Sequence, residues 1–308
     1  MNRRELLKGT SAIGLLGAIP FRHGLESMAV TASVSYQSAP PAKPLNPPAT
    51  GSVPVAVVLS EGAVIIDFCG PWEVFESAYV PRRMDSPFKL YTVAADVNLI
   101  QASGGMKIVP DFSFKSAPAP KIVVIPAQRA SSSVMLDWIR ASAKSADVVM
   151  SVCTGAYILA ETGLLSGKSA TTHHGAYKEF AVQFPDIHCV RGVRFVEDGN
   201  LATAGGLSSG IDLALHVVER YFGRDIAAWT AFQMEYQGQG WLNPSVNTEY
   251  AKAPVSSAAH PLCPVCNMEV VPDAKLSSVY EGKTYYFCMP EHKALFDAKP
   301  KAFLEDGA

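Results

Sequence analysis

Five short apolar runs alternate with stretches of helical periodicity through the middle of the chain. The apolar runs are residues 53–59, 88–94, 121–125, 147–152 and 201–204, and the helical patterns are 70–79, 131–143, 154–162 and 208–222. Parallel strands need crossover connections, and strands buried on both faces are apolar throughout. The alternation therefore predicts a three-layer α/β sandwich with a mostly parallel sheet. Binding sites in such sheets lie beyond the carboxyl ends of the strands.

The fourth apolar run leads directly into a small-residue turn and a helical pattern. The turn reads Ser151-Val-Cys153-Thr-Gly-Ala-Tyr157, which is typical of a nucleophile elbow, a sharp turn that sets one side chain at a helix N-terminus. Unpaired amides and the helix dipole favour an anion there, so we expect a lowered pKa for Cys153. The alternative is that Cys153 is an ordinary small apolar residue at a strand end.

Four further segments resemble a known family when they are read with the elbow. An acidic loop carries Asp67 ahead of Gly70-Pro-Trp, a buried strand ends at Pro126, and the segments Thr171-Thr-His173 and Gly199–Gly206 follow the elbow. Together these segments, which span about residues 52–235, resemble the ThiJ/PfpI superfamily of glutamine-amidotransferase-like proteins. The nearest branch contains isonitrile hydratase and the ligand-binding halves of some transcription regulators. The resemblance implies a flavodoxin-like sandwich, a homodimer, and no cofactor in this domain.

The resemblance also implies a catalytic set. Cys153 would be the reactive group, Asp67 the acid beside its sulfur, and Thr154 a hydroxyl that orients substrate or water. Two acidic groups in contact hold one proton between them, so the pair can serve as nucleophile and proton shuttle. Without the resemblance, Asp67 is better interpreted as an acid that caps a helix entry.

Candidate substrate-binding residues surround this set. They are Gly70, Ala127, Gln128, His173 and Gly206. The family's usual Pro-Gly-Gly turn is Pro126-Ala127-Gln128 in this chain, which puts the oxyanion geometry in question because glycine normally lets that amide face the pocket. An alternative is that Gln128 or Arg129 enters the pocket instead. A histidine such as His173 is more often structural than a base.

A second unit begins at Cys263, and its sequence resembles the YHS domain. Its candidate ligands follow the spacing C-x2-C-x21-C-x3-H and are Cys263, Cys266, Cys288 and His292, with Met268 nearby. Three thiolates and an imidazole suit tetrahedral zinc, whereas a thioether favours copper(I). A Cys263–Cys266 disulfide is the alternative in an oxidising compartment. We favour metal, because so small a unit needs a cross-link such as a bound metal to stabilise its fold.

Two segments outside these units bear on localisation and organisation. Arg3-Arg4 precede a short apolar run, so residues 1–32 resemble a twin-arginine (Tat) export signal, and we expect a periplasmic or otherwise exported protein. The apolar run is too short to span a bilayer. We predict a Pro-rich linker at 33–52, the ThiJ/PfpI-like domain at 53–236, a linker at 237–260 and the YHS domain at 261–306.

The formal net charge of −2 and the absence of a Lys/Arg-rich segment argue against nucleic acid as a partner. No helix-turn-helix pattern follows residue 235, so the DNA function of the related regulators does not transfer. We expect a small-molecule partner and a cysteine-dependent hydratase or hydrolase that acts on a carbon–nitrogen or carbonyl compound. The alternative is a non-enzymatic protein that binds or senses a small ligand, a redox state or a metal.

Overall fold

The computed structural model describes residues 43–129, 131–252, 254–257 and 259–304, which belong to one compact unit. The predicted export signal lies outside the described residues. Eleven strands belong to the large domain and two to the small C-terminal unit. They are β1 (Val53–Val58), β2 (Phe88–Ala94), β3 (Ile100–Gln101), β4 (Lys107–Ile108), β5 (Phe112–Ser113), β6 (Ile122–Ile125), β7 (Val148–Val152), β8 (Ser169–Ala170), β9 (His188–Cys189), β10 (Phe195–Asp198), β11 (Leu201–Ala204), β12 (Ser277–Tyr280) and β13 (Lys283–Tyr286).

The described α-helices are α1 (Ile65–Ser77), α2 (Ser133–Ala143), α3 (Gly155–Glu161), α4 (Tyr177–Gln183), α5 (Ser209–Phe222), α6 (Arg224–Gln233), α7 (Pro290–Ala298) and α8 (Pro300–Leu304). Short 3₁₀ segments lie at Ser103–Gly105, His174–Ala176, Pro244–Tyr250 and Ala274–Leu276. Helix α2 shows how the sequence sets an end: the Ser132 hydroxyl accepts a hydrogen bond from the Met135 amide at 3.2 Å, which satisfies one of the free amides of the first turn. No helix of the described residues is both long and apolar enough to cross a membrane.

The main sheet has seven strands in the order β10-β11-β7-β6-β1-β2-β5, and only the β10–β11 pair is antiparallel. The predicted mostly parallel α/β architecture is therefore confirmed. Strands are added on one side of β1 first and on its other side later, so the carboxyl ends of the central strands β1, β6 and β7 face one crevice. Strand β7 ends at Val152, which places Cys153 at that crevice.

Two hydrophobic cores flank the sheet, as the side-chain alternation of a strand requires. In β1, Val55 and Val57 pack in the core that includes α1, α5 and α6, while Ala56 and Val58 pack in the core that includes α2 and α3. All four residues are fully buried. Burial on both faces explains why the strand is apolar throughout and why its amino-acid pattern does not alternate.

Parts of the predicted linkers pack on the large domain. In the first, the Leu45 amide donates to the Arg220 carbonyl at 2.7 Å, and Leu45 packs against the core. In the second, Trp241 is 6% exposed, and the 3₁₀ segment Pro244–Tyr250 buries Asn247. These apolar and amide side chains give linker sequence a packing role that its proline and glycine content does not indicate.

The small C-terminal unit, residues 261–304, has its own core. Its buried apolar residues include Val265, Phe287, Phe296 and Phe303, and the strands β12 and β13 form a two-stranded antiparallel hairpin beside it. Val182 of helix α4 also packs against this core. The small unit therefore rests directly on the large domain.

Candidate functional site

The backbone at Cys153 is strained in the way that a nucleophile elbow requires. Its φ angle is +59°, a left-handed conformation that non-glycine residues seldom adopt. Neighbouring strand ends hold it: the Cys153 amide donates to the carbonyls of Ala204 and Gly205 at 3.1 and 2.9 Å, and its carbonyl accepts from the Thr172 hydroxyl at 3.1 Å. Strain that the surroundings fix so firmly is typical of a functional site.

Gly155 lets the helix after Cys153 lie against the sheet. A Cβ atom at this position would lie 2.2 Å from the Ile125 carbonyl oxygen and 2.8 Å from the Pro126 carbonyl carbon. Any larger residue would force α3 away from the end of β6. The glycine of the elbow sequence is therefore a requirement for close approach.

Asp67 enters the crevice from the first turn of α1, where its side chain is completely buried. Its Oδ2 atom accepts a hydrogen bond from the Ala127 amide at 3.1 Å, and its Oδ1 atom has no conventional partner among the described residues. Burial raises the pKa of the Asp67 carboxyl to about 7, against smaller lowering effects of the Ala127 amide and the Cys153 thiol. The carboxyl can therefore exchange a proton near neutral pH.

The Cys153 sulfur lies in a pocket of hydrogen-bond donors. The amides of Thr154 and Leu207 and the Thr154 hydroxyl all lower its pKa, but burial and the Asp67 carboxylate outweigh them and raise it to about 11. Our expectation of a lowered thiol pKa was wrong, because the strand end that forms the elbow also removes the sulfur from water. The group that ionises near neutral pH is Asp67.

The turn after β6 carries the residues whose departure from Pro-Gly-Gly put the oxyanion geometry in question. The Ala127 amide is engaged by Asp67, and Gln128 turns toward β1, where it accepts from the Ser60 hydroxyl at 2.8 Å and donates to the Val58 carbonyl at 3.3 Å. The Arg129 side chain packs over Gly62. The side chains of Gln128 and Arg129 therefore pack against neighbouring chain segments and do not enter the pocket. Gly70 lies within α1 against Ile211 of α5 and has a packing role.

A pocket of about 190 Å³ is lined in part by the segment 206–209, whose Leu207 amide reaches the Cys153 sulfur, but neither Cys153 nor Asp67 lines the pocket itself. His173 and Gly206 are in contact in its wall: a Cβ atom on Gly206 would lie 2.8 Å from the His173 ring. The His173 Nδ1 atom accepts from the Gly175 amide at 3.1 Å, which leaves Nε2 as the protonated nitrogen of the neutral ring. Burial lowers the pKa of His173.

The sequence did not identify two features of this pocket. The Leu207 amide, which donates to the Cys153 sulfur, belongs to a residue with a φ of +39° in the wall of the pocket. Tyr250 of the predicted linker also lines the pocket, with its ring 4.8 Å from that of His174. Backbone donors and linker contacts leave no recognisable residue pattern, which explains why both were missed.

The small C-terminal unit contains a candidate metal centre. Cys263, Cys266, Cys288 and His292 bring one ligand atom each within 4.8 Å of one another. The Cys266 and Cys288 sulfurs are 3.5 Å apart, and His292 Nδ1 lies 3.1 Å from Cys288 Sγ and 3.6 Å from Cys263 Sγ. Ligands of a tetrahedral zinc ion are separated by about 3.5–3.8 Å, so the donor set and spacing fit a metal. All six cysteines are free thiols.

The hydrogen bonds at this centre favour a Cys263 thiolate and a protonated His292, whereas they raise the pKa of Cys266. The Cys266 thiol and nearby amides lower the pKa of Cys263, and the Cys263 sulfur and the Glu179 carboxylate raise the pKa of His292 to about 10. A cation would replace the His292 proton. Met268 is 59% exposed, and its backbone amide donates to the Cys266 sulfur.

The comparisons with known proteins agree with this architecture. The family model of the DJ-1/PfpI family matches residues 53–220, and that of the YHS domain matches residues 263–306. Isonitrile hydratase from Pseudomonas putida is 34% identical over 176 residues, covering 56% of this chain and 73% of the relative. The transcriptional regulator GbdR from Pseudomonas aeruginosa is 28% identical over 162 residues, covering 49% of this chain and 44% of the regulator. The chain thus spans less than half of that regulator.

Solved structures show the same fold. A ThiJ/PfpI family protein from Pseudomonas syringae superimposes with a TM-score of 0.55 at 26% identity, covering 61% of this chain and 77% of the other. DJ-1beta from Drosophila melanogaster gives a TM-score of 0.53 at 23% identity, covering 61% of this chain and all of the other. The chain belongs to the DJ-1/PfpI family and carries a YHS domain at its C-terminal end.

Proposed function

We propose that this protein is a cysteine-dependent enzyme that adds water to a small electrophilic carbon in a carbon–nitrogen or carbonyl compound. The observation that carries the proposal is the buried pair of Cys153 and Asp67, in which a strained nucleophile lies beside a carboxyl that exchanges protons near pH 7. Strain and a shifted pKa are both expected where a fold supports chemistry.

The pair supplies a general base and a nucleophile to an isonitrile. The unpartnered Oδ1 atom of Asp67 accepts the thiol proton, and the Cys153 sulfur forms a bond to the terminal carbon of the isonitrile. Asp67 then returns the proton to that carbon, which gives a thioimidate on Cys153. The Leu207 and Thr154 amides stabilise the sulfur while it carries negative charge.

Water completes the addition. Asp67 takes a proton from a water molecule, whose oxygen attacks the same carbon, and Asp67 then gives that proton to the nitrogen. The carbon–sulfur bond breaks as Asp67 moves the proton of the new hydroxyl group to the sulfur, and a formamide leaves. The net reaction is addition of one water with no change in the enzyme. The Thr154 hydroxyl contacts the Cys153 sulfur and is placed to orient the reacting group.

The likeness to isonitrile hydratase supports this reaction, and the likeness to GbdR supports the alternative of a ligand-binding protein. Incubation of the protein with a small aliphatic isonitrile separates them, with formamide measured by proton NMR. We expect turnover that Cys153→Ser and Asp67→Asn abolish. Cys69→Ser is the matched control, since this free and partly buried thiol lies two residues after Asp67 in helix α1 and packs against the core.

Ligand binding without turnover would contradict an enzymatic function. If the wild-type protein gives no formamide from isonitriles and no hydration product from dicarbonyls, yet either compound raises its melting temperature, the pocket binds ligand without turnover. That result would replace the enzyme with a binding or sensing protein.

The YHS domain holds one soft metal ion in this proposal. Cys263, Cys266, Cys288 and His292 would be its ligands, and a bound zinc or copper ion would supply structural cross-linking of a unit with a small core. Metal analysis of anaerobically reconstituted protein should give one ion per chain. A Cys263–Cys266 disulfide in freshly isolated protein would contradict this assignment.

Export and dimerisation complete the proposal. Arg3-Arg4 ahead of a weakly apolar run support a twin-arginine signal, so replacing both arginines by lysine should keep the protein in the cytoplasm. Membership of the DJ-1/PfpI family supports a homodimer. A single monomeric species in light scattering would contradict the dimer.

A further inference from the structure

The candidate metal centre lies against the large domain, and both ring nitrogens of its histidine have close neighbours. Nδ1 of His292 points toward the sulfurs of Cys263 and Cys288, whereas Nε2 lies 3.6 Å from Oε2 of Glu179 in helix α4. The His292 and Glu179 side chains are only 10% and 19% exposed. The two domains therefore meet at an imidazole that has a metal-facing side and a carboxylate-facing side.

We propose that Glu179 is an outer-sphere residue of the metal centre. The YHS domain supplies the four ligands, and the DJ-1/PfpI domain supplies the carboxylate that holds one of them in place. The inference rests on metal binding by the four proposed ligands. A histidine that binds a metal through one ring nitrogen donates its other N–H to a carboxylate or carbonyl in most protein sites, and that partner fixes its tautomer and orientation. Glu179 is placed to hold the proton on Nε2 and leave the Nδ1 lone pair toward the metal.

Glu179 is itself held in place. Its Oε1 atom accepts a hydrogen bond of 2.8 Å from Nε2 of Gln183, one turn further along α4, which leaves Oε2 for His292. A carboxylate fixed by a neighbour loses less conformational entropy when it accepts a further hydrogen bond. The orientation of Glu179 toward the metal centre is therefore built into the helix.

Neighbouring contacts fix the distance between α4 and the metal centre. Lys178 Nζ donates to the Phe303 carbonyl at 3.3 Å, and Val182 packs in the core of the small unit. At Gly175, just before the helix, a Cβ atom would lie 3.3 Å from the carbonyl oxygen of Cys266. These contacts hold the segment 175–182 against the small unit, with Gly175 next to the loop that carries Cys263 and Cys266.

The test measures metal affinity in the full chain. Reduced protein without the predicted signal is loaded with Zn²⁺ anaerobically and titrated against a chromophoric chelator, and the titration is repeated with Cu(I). We expect Glu179→Ala to weaken metal binding by about 10–100-fold, the range found for outer-sphere partners of metal ligands. Glu179→Gln, which keeps an oxygen acceptor and loses the charge, should lie between Glu179→Ala and the wild type.

Lys178→Ala is the matched control, because it removes another contact between the same helix and the small unit, the hydrogen bond to the Phe303 carbonyl, and leaves Glu179 and His292 in place. We expect it to change the affinity by less than about threefold, because this single part-buried hydrogen bond does not reach the proposed ligands. Metal-free melting temperatures of the variants show whether they fold. A loss of affinity equal in Glu179→Ala and Lys178→Ala would overturn the role of Glu179 and assign the effect to domain contact alone.

A spectroscopic measurement tests the role in a way that folding does not affect. In zinc-loaded protein, nitrogen-15 NMR of the His292 ring should show a metal on Nδ1 and a proton on Nε2 that exchanges slowly with water. In Glu179→Ala that proton should exchange faster. A metal on Nε2 would overturn the proposal directly. A wild-type protein that binds neither Zn²⁺ nor Cu(I) would overturn the metal centre itself, which is distinguishable from binding that is indifferent to Glu179.

Discussion

Replacement of Asp67 by asparagine should abolish turnover and stabilise the protein at the same time. The carboxyl is completely buried, and burial raises its pKa from 3.8 to about 7. Between these values the unfolded chain is ionised while the folded chain still holds the proton, so the folded state binds more protons and its stability falls as pH rises. The loss is complete above the folded-state pKa. Its full size is about 4 kcal/mol, at 1.36 kcal/mol for each pH unit of the difference.

An asparagine cannot ionise, so it avoids this loss. At pH 4.5 the folded wild-type protein carries a protonated Asp67, which has nearly the same shape as asparagine, and the amide oxygen of the Asp67→Asn variant can still accept the hydrogen bond from the Ala127 amide. The stability of the variant relative to the wild type should therefore rise by about 3 kcal/mol between pH 4.5 and pH 7 and stay level at higher pH.

The assay is urea unfolding followed by tryptophan fluorescence at several pH values. All four tryptophans, Trp72, Trp138, Trp229 and Trp241, lie in the DJ-1/PfpI domain or pack on it, so the signal reports that domain. Asp137→Asn, an exposed position, is the control for removal of an acidic group, and it should change stability by less than about 0.5 kcal/mol. A difference between Asp67→Asn and wild type that stays constant from pH 4.5 to 8, or that falls, would refute the assignment of a raised pKa.

Three further outcomes follow from the same geometry. Turnover should rise with pH through about 7, because Asp67 acts as a base only when ionised, and a profile that falls over this range would contradict its role. Thr154→Val should lower kcat by about 10–100-fold while Thr154→Ser retains activity, because the hydroxyl contacts the Cys153 sulfur; equal rates in both variants would exclude that contact. Gly155→Ala should lower the free energy of unfolding by about 3 kcal/mol or more, since its methyl group would lie 2.2 Å from the Ile125 carbonyl oxygen, and a melting temperature within about 2 °C of wild type would contradict the close approach.

The sequence predicted the position of the site better than the contacts and pKa shifts of its residues. The alternation of apolar runs and helical patterns predicted the parallel sheet, and the strand ends placed Asp67 and Cys153 in one crevice, because parallel strands share an edge. The thiol pKa was predicted with the wrong sign. Helix termini can be recognised in a sequence, whereas the desolvation of Cys153 depends on packing by residues that are distant along the chain.

The turn at Ala127 shows a different reason for failure. Its departure from Pro-Gly-Gly is visible in the sequence, but the two consequences are not: the Ala127 amide binds Asp67, and the Gln128 side chain binds Ser60 and Val58. Both contacts join segments about 60–70 residues apart. Glu179 was missed for the same reason, since nothing in the sequence of α4 indicates that a histidine far along the chain, in the other domain, lies beside it.

One short stretch of chain, residues 173–179, runs from the pocket to the candidate metal centre. His173 lines the pocket that also contains Gly206 and Leu207, Gly175 lies against the loop of Cys266, and Glu179 lies against His292. The hydrogen bond from the Gly175 amide to His173 ties the pocket end of this stretch to its middle. A metal bound by the proposed ligands would stabilise the ordered arrangement of their loop, and with it the stretch that packs against the loop. Metal binding at these ligands and the geometry at His173 should therefore be linked in both directions.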